Sequence, residues 1–130
     1  MNDTIRRALT KGNLVDITTT GRQTGQPRRI EIVSHALDGR TYISGMPSPR
    51  KRAWIANLEA DPHLTFHLKG RGMAGTPVAD LPGTARIITD EQERREVFRK
   101  VIETAWHQQD LETMVRFSPL IEVTFDQLAA

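Results

Sequence analysis

The apolar positions along this chain change period several times, and each change marks an element. LVDITTT (14–20) and RRIEIVSHAL (28–37) read as strands, the second with Ile30 and Ile32 on one face and Glu31 on the other. Asp38-Gly39 is a strong two-residue hairpin signal and leads into TYISG (41–45) as a third strand. The period then lengthens. Ser48 is placed to cap a helix, Pro49 suits its first position, and Ala53, Trp54, Asn57 and Leu58 share one face before Asp61-Pro62 ends it. HLTFHLKG (63–70) returns to alternation, with Leu64, Phe66 and Leu68 pointing one way and Thr65, His67 and Lys69 the other.

A connector rich in glycine and proline follows, then TARIIT (84–89) as a fifth strand. Thr89-Asp90 opens the longest helical pattern, in which Val97, Phe98, Val101, Ile102, Ala105 and Trp106 form an apolar stripe behind a capping box of Asp90 and Glu93. DLETMVRF (110–117) is a short second helical piece, and PLIEVTFDQL (119–128) returns as a strand with Ile121, Val123 and Phe125 on one face. This order predicts one α+β domain over residues 1–130, a barrel or sheet of five to six mostly antiparallel strands with two or three helices.

Composition narrows the function classes. The absence of cysteine excludes disulfides, thiolate metal sites and a cysteine nucleophile, and fits a reducing cytoplasm. No apolar run approaches the roughly 18 residues of a membrane span, and the polar start lacks the apolar core of a signal peptide. The four histidines have no metal-ligand spacing, so no metal is expected, and His67 beside Lys69 is read as solvated or ligand-facing. GRGMAG (70–75) matches the dinucleotide fingerprint letter for letter, but two prolines and no helical period follow it, so no helix N-terminus would face a pyrophosphate.

Charge is more informative by position than in total. Residues 21–52 carry seven Lys/Arg against only Glu31 and Asp38, while residues 53–130 carry eight against twelve acids. Three of the cations, Arg22, Arg28 and Arg29, surround the turn in TTTGRQTGQPRRIEI (18–32). A turn needs Gly25 and Pro27 for its backbone but has no use for three guanidinium groups, so an anionic ligand is the economical explanation. PSPRKR (47–52) adds a second cluster at the expected helix start, where free N–H groups and the dipole also favour an anion. Five or six cations are expected to converge there on one ligand. Nucleic acid is not the expected partner, because few aromatics and no recognition motif accompany the charge.

TTTGRQTGQPRRIEI, followed by PRKRAWIANLEADPHLTFHLKG (49–70), resembles the deazaflavin-dependent nitroreductase (quinone reductase) family of actinobacteria. The resemblance implies a split β-barrel, like that of the FMN-binding oxidoreductases, and binding of coenzyme F420, whose phosphate and polyglutamate tail need a cationic channel. By position it assigns Arg22, Gln23, Thr24 and Arg28, with Arg50 and Lys51, to phosphate and tail. Ile32, Val33, Ser44, Gly45 and Met46 would line the deazaflavin ring, and Ala53, Trp54 and Asn57 would close the pocket from the helix. Relatives that reduce nitroimidazoles use a late tyrosine. The single tyrosine here is Tyr42, and His107 stands near the equivalent place as a candidate proton donor.

The resemblance thus implies a cytoplasmic reductase that passes hydride from F420H2 to a small-molecule acceptor, a quinone, activated alkene or nitro compound. A homodimer is compatible with this superfamily. The alternatives are an FMN- or haem-binding split barrel, and a carrier that holds a deazaflavin or fatty acid without turnover.

Overall fold

The computed structural model describes Ile5, Leu9 and residues 14–69, 77–104 and 110–126, and the description that follows is of these. Six strands, β1 (Leu14–Thr20), β2 (Pro27–Leu37), β3 (Arg40–Ser44), β4 (His63–Lys69), β5 (Pro77–Ile87) and β6 (Leu120–Phe125), are joined with three helices, α1 (Ala53–Ala60), α2 (Glu91–Thr104) and α3 (Leu111–Phe117). The strands close into a barrel in the order β1-β2-β3-β6-β5-β4, and every pairing is antiparallel. The split β-barrel expectation holds, with six strands.

Register explains which side chains fill it. Ile17 faces Ile30 across β1 and β2 and Phe66 across β1 and β4, while Ile43 faces Ile121 across β3 and β6. Alternation therefore sends one apolar set inward from every strand. Phe66 and Phe125 meet edge to face there with centroids 5.2 Å apart. Trp54, Ile55 and Leu58 of α1 join this cluster, so the short helix closes the barrel against water. A second core lies outside the barrel, where Leu37, Tyr42 and Leu120 pack against Val97, Phe98 and Val101 of α2 and Met114 and Val115 of α3.

The hairpin expected at Asp38-Gly39 forms with φ of 52° and 77°, as a type I′ turn demands. Asp90 caps α2 through the Glu93 N–H, but the Glu93 carboxylate binds Arg86 instead of completing the reciprocal box. Two boundaries differ from expectation. The first helix begins at Ala53, with Arg52 as its N-cap, because the Ser48 hydroxyl is engaged with Arg50 N–H and C=O in a local turn. The fifth strand begins at Pro77, inside the expected connector. Pro82 is tolerated in it because β5 changes partner there: residues 77–84 pair with β4, and 83–87 pair with β6.

His67 is a further correction. It is buried, its Nε2 lies 2.6 Å from Thr18 Oγ1 and its Nδ1 2.7 Å from Asp80 Oδ1. The polar face of β4 lies between β1 and β5, so its polar side chains find partners on neighbouring strands before they find water.

Removal of the barrel's central ring should be costly. Phe66→Ala is expected to lower the unfolding free energy by about 3–5 kcal/mol, read from urea midpoints at constant slope.

Candidate functional site

The turn after β1 is built by its own backbone. Gly21 N–H donates to Gln26 O and Gly25 N–H to Gly21 O, both at 2.8 Å, and Gln26 N–H reaches Thr24 Oγ1 at 3.2 Å. A Cβ on Gly21 would stand 2.9 Å from Thr24 Oγ1 and 3.1 Å from Gln26 O, so no side chain fits at the bend. The same position lies 3.6 Å from Arg28 Nε, which places the Arg28 guanidinium close over the turn.

Asn57 joins this turn to α1. Its Oδ1 accepts from Arg22 N–H at 3.0 Å, and its Nδ2 donates to Thr19 Oγ1 at 3.1 Å. Asn57 and Thr19 are both buried, so the bond between them is made away from competing water, and the bond to Arg22 N–H is partly shielded. Asn57, expected to close the pocket from the helix, thus fixes the backbone at the start of the turn.

Between the turn and α1 lies a cleft of about 530 Å³. Arg22, Gln23, Thr24 and Arg28 line one side, and Ala53, Trp54 and Asn57 the other. Seven of the residues singled out from sequence thus share one cavity. Arg29, marked by the charge pattern, lines it as well, and so do Thr19, Gly21, Pro27 and Ile30, which were not singled out as binding residues. Strand register carried the signal for Thr19 and Ile30, which face inward beside Ile17, but only once β1 and β2 were paired.

The three arginines are not equivalent. Arg29 is 2.9 Å from Asp16 Oδ2, and Asp16 also takes Lys69 Nζ at 2.8 Å. The hydrogen bond from Lys69, helped by Arg29 and opposed by partial burial, holds the Asp16 carboxyl below its ordinary range. Arg22 and Arg28 have no carboxylate partner among the described residues, and the cleft wall contains none. Two guanidiniums without a carboxylate partner, in a cleft that Trp54 also lines, leave positive charge open to an anion.

The second cationic cluster goes elsewhere, which corrects the expected convergence. Arg50, Lys51 and Arg52 line a separate cleft of about 560 Å³ with Ile55 and Glu59. Ile55 and Glu59, four residues apart, face one side of α1 with Lys51 from the preceding segment beside them, while Ala53, Trp54 and Asn57 face the other. Lys51 is not an open cation, since its Nζ lies 2.8 and 3.0 Å from the two oxygens of Glu59. Arg52 donates to Met46 O at 3.1 Å.

The residues assigned to the ring do not enter the first cleft. Ile32 packs on the barrel core, and Val33, one residue on, points to the opposite face. Ser44 is fully buried, with its hydroxyl 2.7 Å from His35 Nε2, so it has no exposed surface to offer. Gly45 adjoins Pro119, and Met46 is half exposed. His107, Trp106 and the GRGMAG segment lie outside the described residues.

A family model described as F420H(2)-dependent quinone reductase matches residues 1–116. The fold is similar to that of the conserved hypothetical protein Rv2991 from Mycobacterium tuberculosis, at TM-score 0.75 and 18% identity, over 97% of this chain and 81% of that one. It is also similar to an F420-H2 dependent reductase (FDR-A), at TM-score 0.59 and 22% identity over 85% and 93% of the two chains. An FAD-binding protein from Mesorhizobium loti gives TM-score 0.59 and 15% identity over 98% and 91%. Curated proteins yield no match to the chain.

Two outcomes test this geometry. Asn57→Ala leaves Arg22 N–H and the Thr19 hydroxyl without their partner, and should cost about 1–3 kcal/mol of stability, read by urea denaturation. Because the Asp16 carboxyl is held below its unfolded value, its ion pairs stabilise the fold above about pH 4 and are lost as pH falls through the folded value. Asp16→Asn should therefore lower stability at pH 7 and reduce its fall on acidification below about pH 4, as thermal melts across that range would show.

Proposed function

Because the chain belongs to the F420H(2)-dependent quinone reductase family, we propose that the cleft between the Gly21–Gln26 turn and α1 holds the anionic part of coenzyme F420. The protein would then reduce a quinone or a related electron-poor acceptor, such as an activated alkene or a nitro compound. One observation carries the assignment. Arg22 and Arg28 line a cleft that contains no carboxylate, and neither is ion-paired among the described residues.

When bound, reduced F420 supplies a hydride to the acceptor, so the protein need not supply a strong acid, base or nucleophile. Its residues bind and orient. Arg22 and Arg28 would meet phosphate or tail carboxylates as paired donors, which a lysine's point charge does less specifically. Asn57 holds the Arg22 backbone, and so the start of the turn, in one place. Trp54, in contact with the barrel core and lining the cleft, offers an apolar wall that excludes water from one side. The cavity size falls within the roughly 300–1,000 Å³ usual for small-molecule sites.

Titration with oxidised and reduced F420, followed by quenching of tryptophan fluorescence, tests binding directly. Arg22→Ala and Arg28→Ala should each weaken the affinity by about 1.5–3 kcal/mol, roughly 10- to 150-fold, with unchanged thermal melts. Arg50→Ala should alter it by less than about twofold, since Arg50 does not line this cleft and solvent and salt screen an exposed charge. The reverse pattern would move the cofactor to the other cleft, and no saturation at micromolar cofactor would refute the reading.

A further inference from the structure

The cleft on the other side of α1 has a chemistry that the cofactor assignment does not use. Its wall carries five cationic side chains against the single carboxylate of Glu59. Lys51 and Glu59 neutralise each other. Arg94 is half-buried and donates to the carbonyls of Val115 and Ile88 at 2.8 Å, and to that of Ser118, which pins the end of α3 without cancelling the positive charge. Partial burial pulls its pKa down from the ordinary arginine value, and a guanidinium keeps its charge at neutral pH. Arg50 and Arg116 have no acidic partner within ion-pair distance among the described residues.

The rest of the wall is apolar and partly flat. Ile55, Ile87 and Pro119 line it together with Phe117, a large apolar residue that is 46% exposed. The Arg116 guanidinium carbon sits 5.8 Å from the Phe117 ring centroid, so one short segment presents a cation and an aromatic face side by side. Ser118, next in the chain, lines the same cleft, and its buried hydroxyl has no hydrogen-bond partner among the described residues. A buried hydroxyl left unpaired is uncommon and points to a missing partner.

We propose that this cleft is a second ligand site and that its ligand is a planar aromatic acid. The ring would lie on Phe117 and the aliphatic wall, and the carboxylate would face Arg50 and Arg116. Each half of the wall selects against a simpler ligand. A small hydrated anion gains nothing from the apolar side, and a neutral aromatic leaves two guanidiniums unpaired. Without a ligand these cations repel one another and water covers Phe117, so binding relieves both costs. The cavity, about 560 Å³, accommodates a bicyclic acid and its first waters.

The probe is 1-naphthoate, titrated calorimetrically into the whole protein without F420, so that the result is independent of the cofactor reading. Saturable one-to-one binding is expected. Arg50→Glu and Arg116→Glu should each weaken it by about tenfold or more, Arg50→Lys should retain most of it, and Arg28→Glu should change it by less than about twofold. The neutral analogue 1-naphthalenemethanol should bind about tenfold more weakly or worse. Circular dichroism of each variant confirms folding, and Arg50 lies in a surface turn whose replacement leaves both cores intact. The proposal is overturned by an absence of saturation to about 5 mM naphthoate, an affinity near −3 kcal/mol. It is equally overturned if Arg28→Glu abolishes binding, or if Arg50→Glu and Arg116→Glu leave it unchanged.

Discussion

The carboxamide of Asn57 is the link on which the arrangement of both clefts rests. It is one side chain, yet it accepts from the backbone at Arg22 and donates to Thr19, so it locks α1 against both the end of β1 and the turn that follows. The helix is short, eight residues, and has no side-chain cap at its N-terminus, so intrinsic helix stability cannot hold it in place. Burial of Trp54, Ile55 and Leu58 supplies the adhesion, and Asn57 supplies the register. Apolar contact alone tolerates sliding by a fraction of a turn. A two-sided hydrogen bond in a buried site does not.

Once α1 is fixed, its two flanks face different chemistry. One flank brings Trp54 to the arginine turn, and the other brings Ile55 and Glu59 into the cleft that the end of α3 also lines. The barrel contributes through its closure. Inward side chains fill the lumen, which leaves the ends and outer faces to carry polar groups. The outer face of β1, β2 and β4 uses this freedom for ion pairs between Asp16, Arg29, Lys69 and Glu31. That network withdraws Arg29 from the cationic set at the turn. The open charges that remain, Arg22 and Arg28, are therefore a product of strand pairing as much as of local composition.

The two clefts also show why positive charge at neighbouring positions in the chain does not imply one site. Arg50, Lys51 and Arg52 occur in a row, but they are directed respectively to open solvent in the cleft, to Glu59 and to the Met46 carbonyl. The chain belongs to the F420H(2)-dependent quinone reductase family and folds as a split barrel, while its open cations separate into a polar turn with Arg22 and Arg28 and a wall that carries Arg116 beside Phe117. On the two readings proposed above, such separation would let one small domain address two anionic groups without forcing like charges into contact.

Local pattern determined most of the elements here. Alternation at Leu64, Phe66 and Leu68 identified an inward face, Asp38-Gly39 identified its turn, and Asp90 identified the cap of α2, because each of these depends on residues a few positions apart. The turn itself, with Gly21, Gly25, Arg22 and Arg28, was legible as an unusual site for the same reason. What the chain could not announce were contacts across large separations: Asn57 with Thr19, His67 with Asp80 and Thr18, and Lys51 with Glu59 on a helix whose true start lies at Ala53. A strand changes the face of every side chain with a shift of one residue, and a helix does so with a quarter turn. Which cation met an acid and which stayed open was thus decided only when the barrel closed and α1 docked on it.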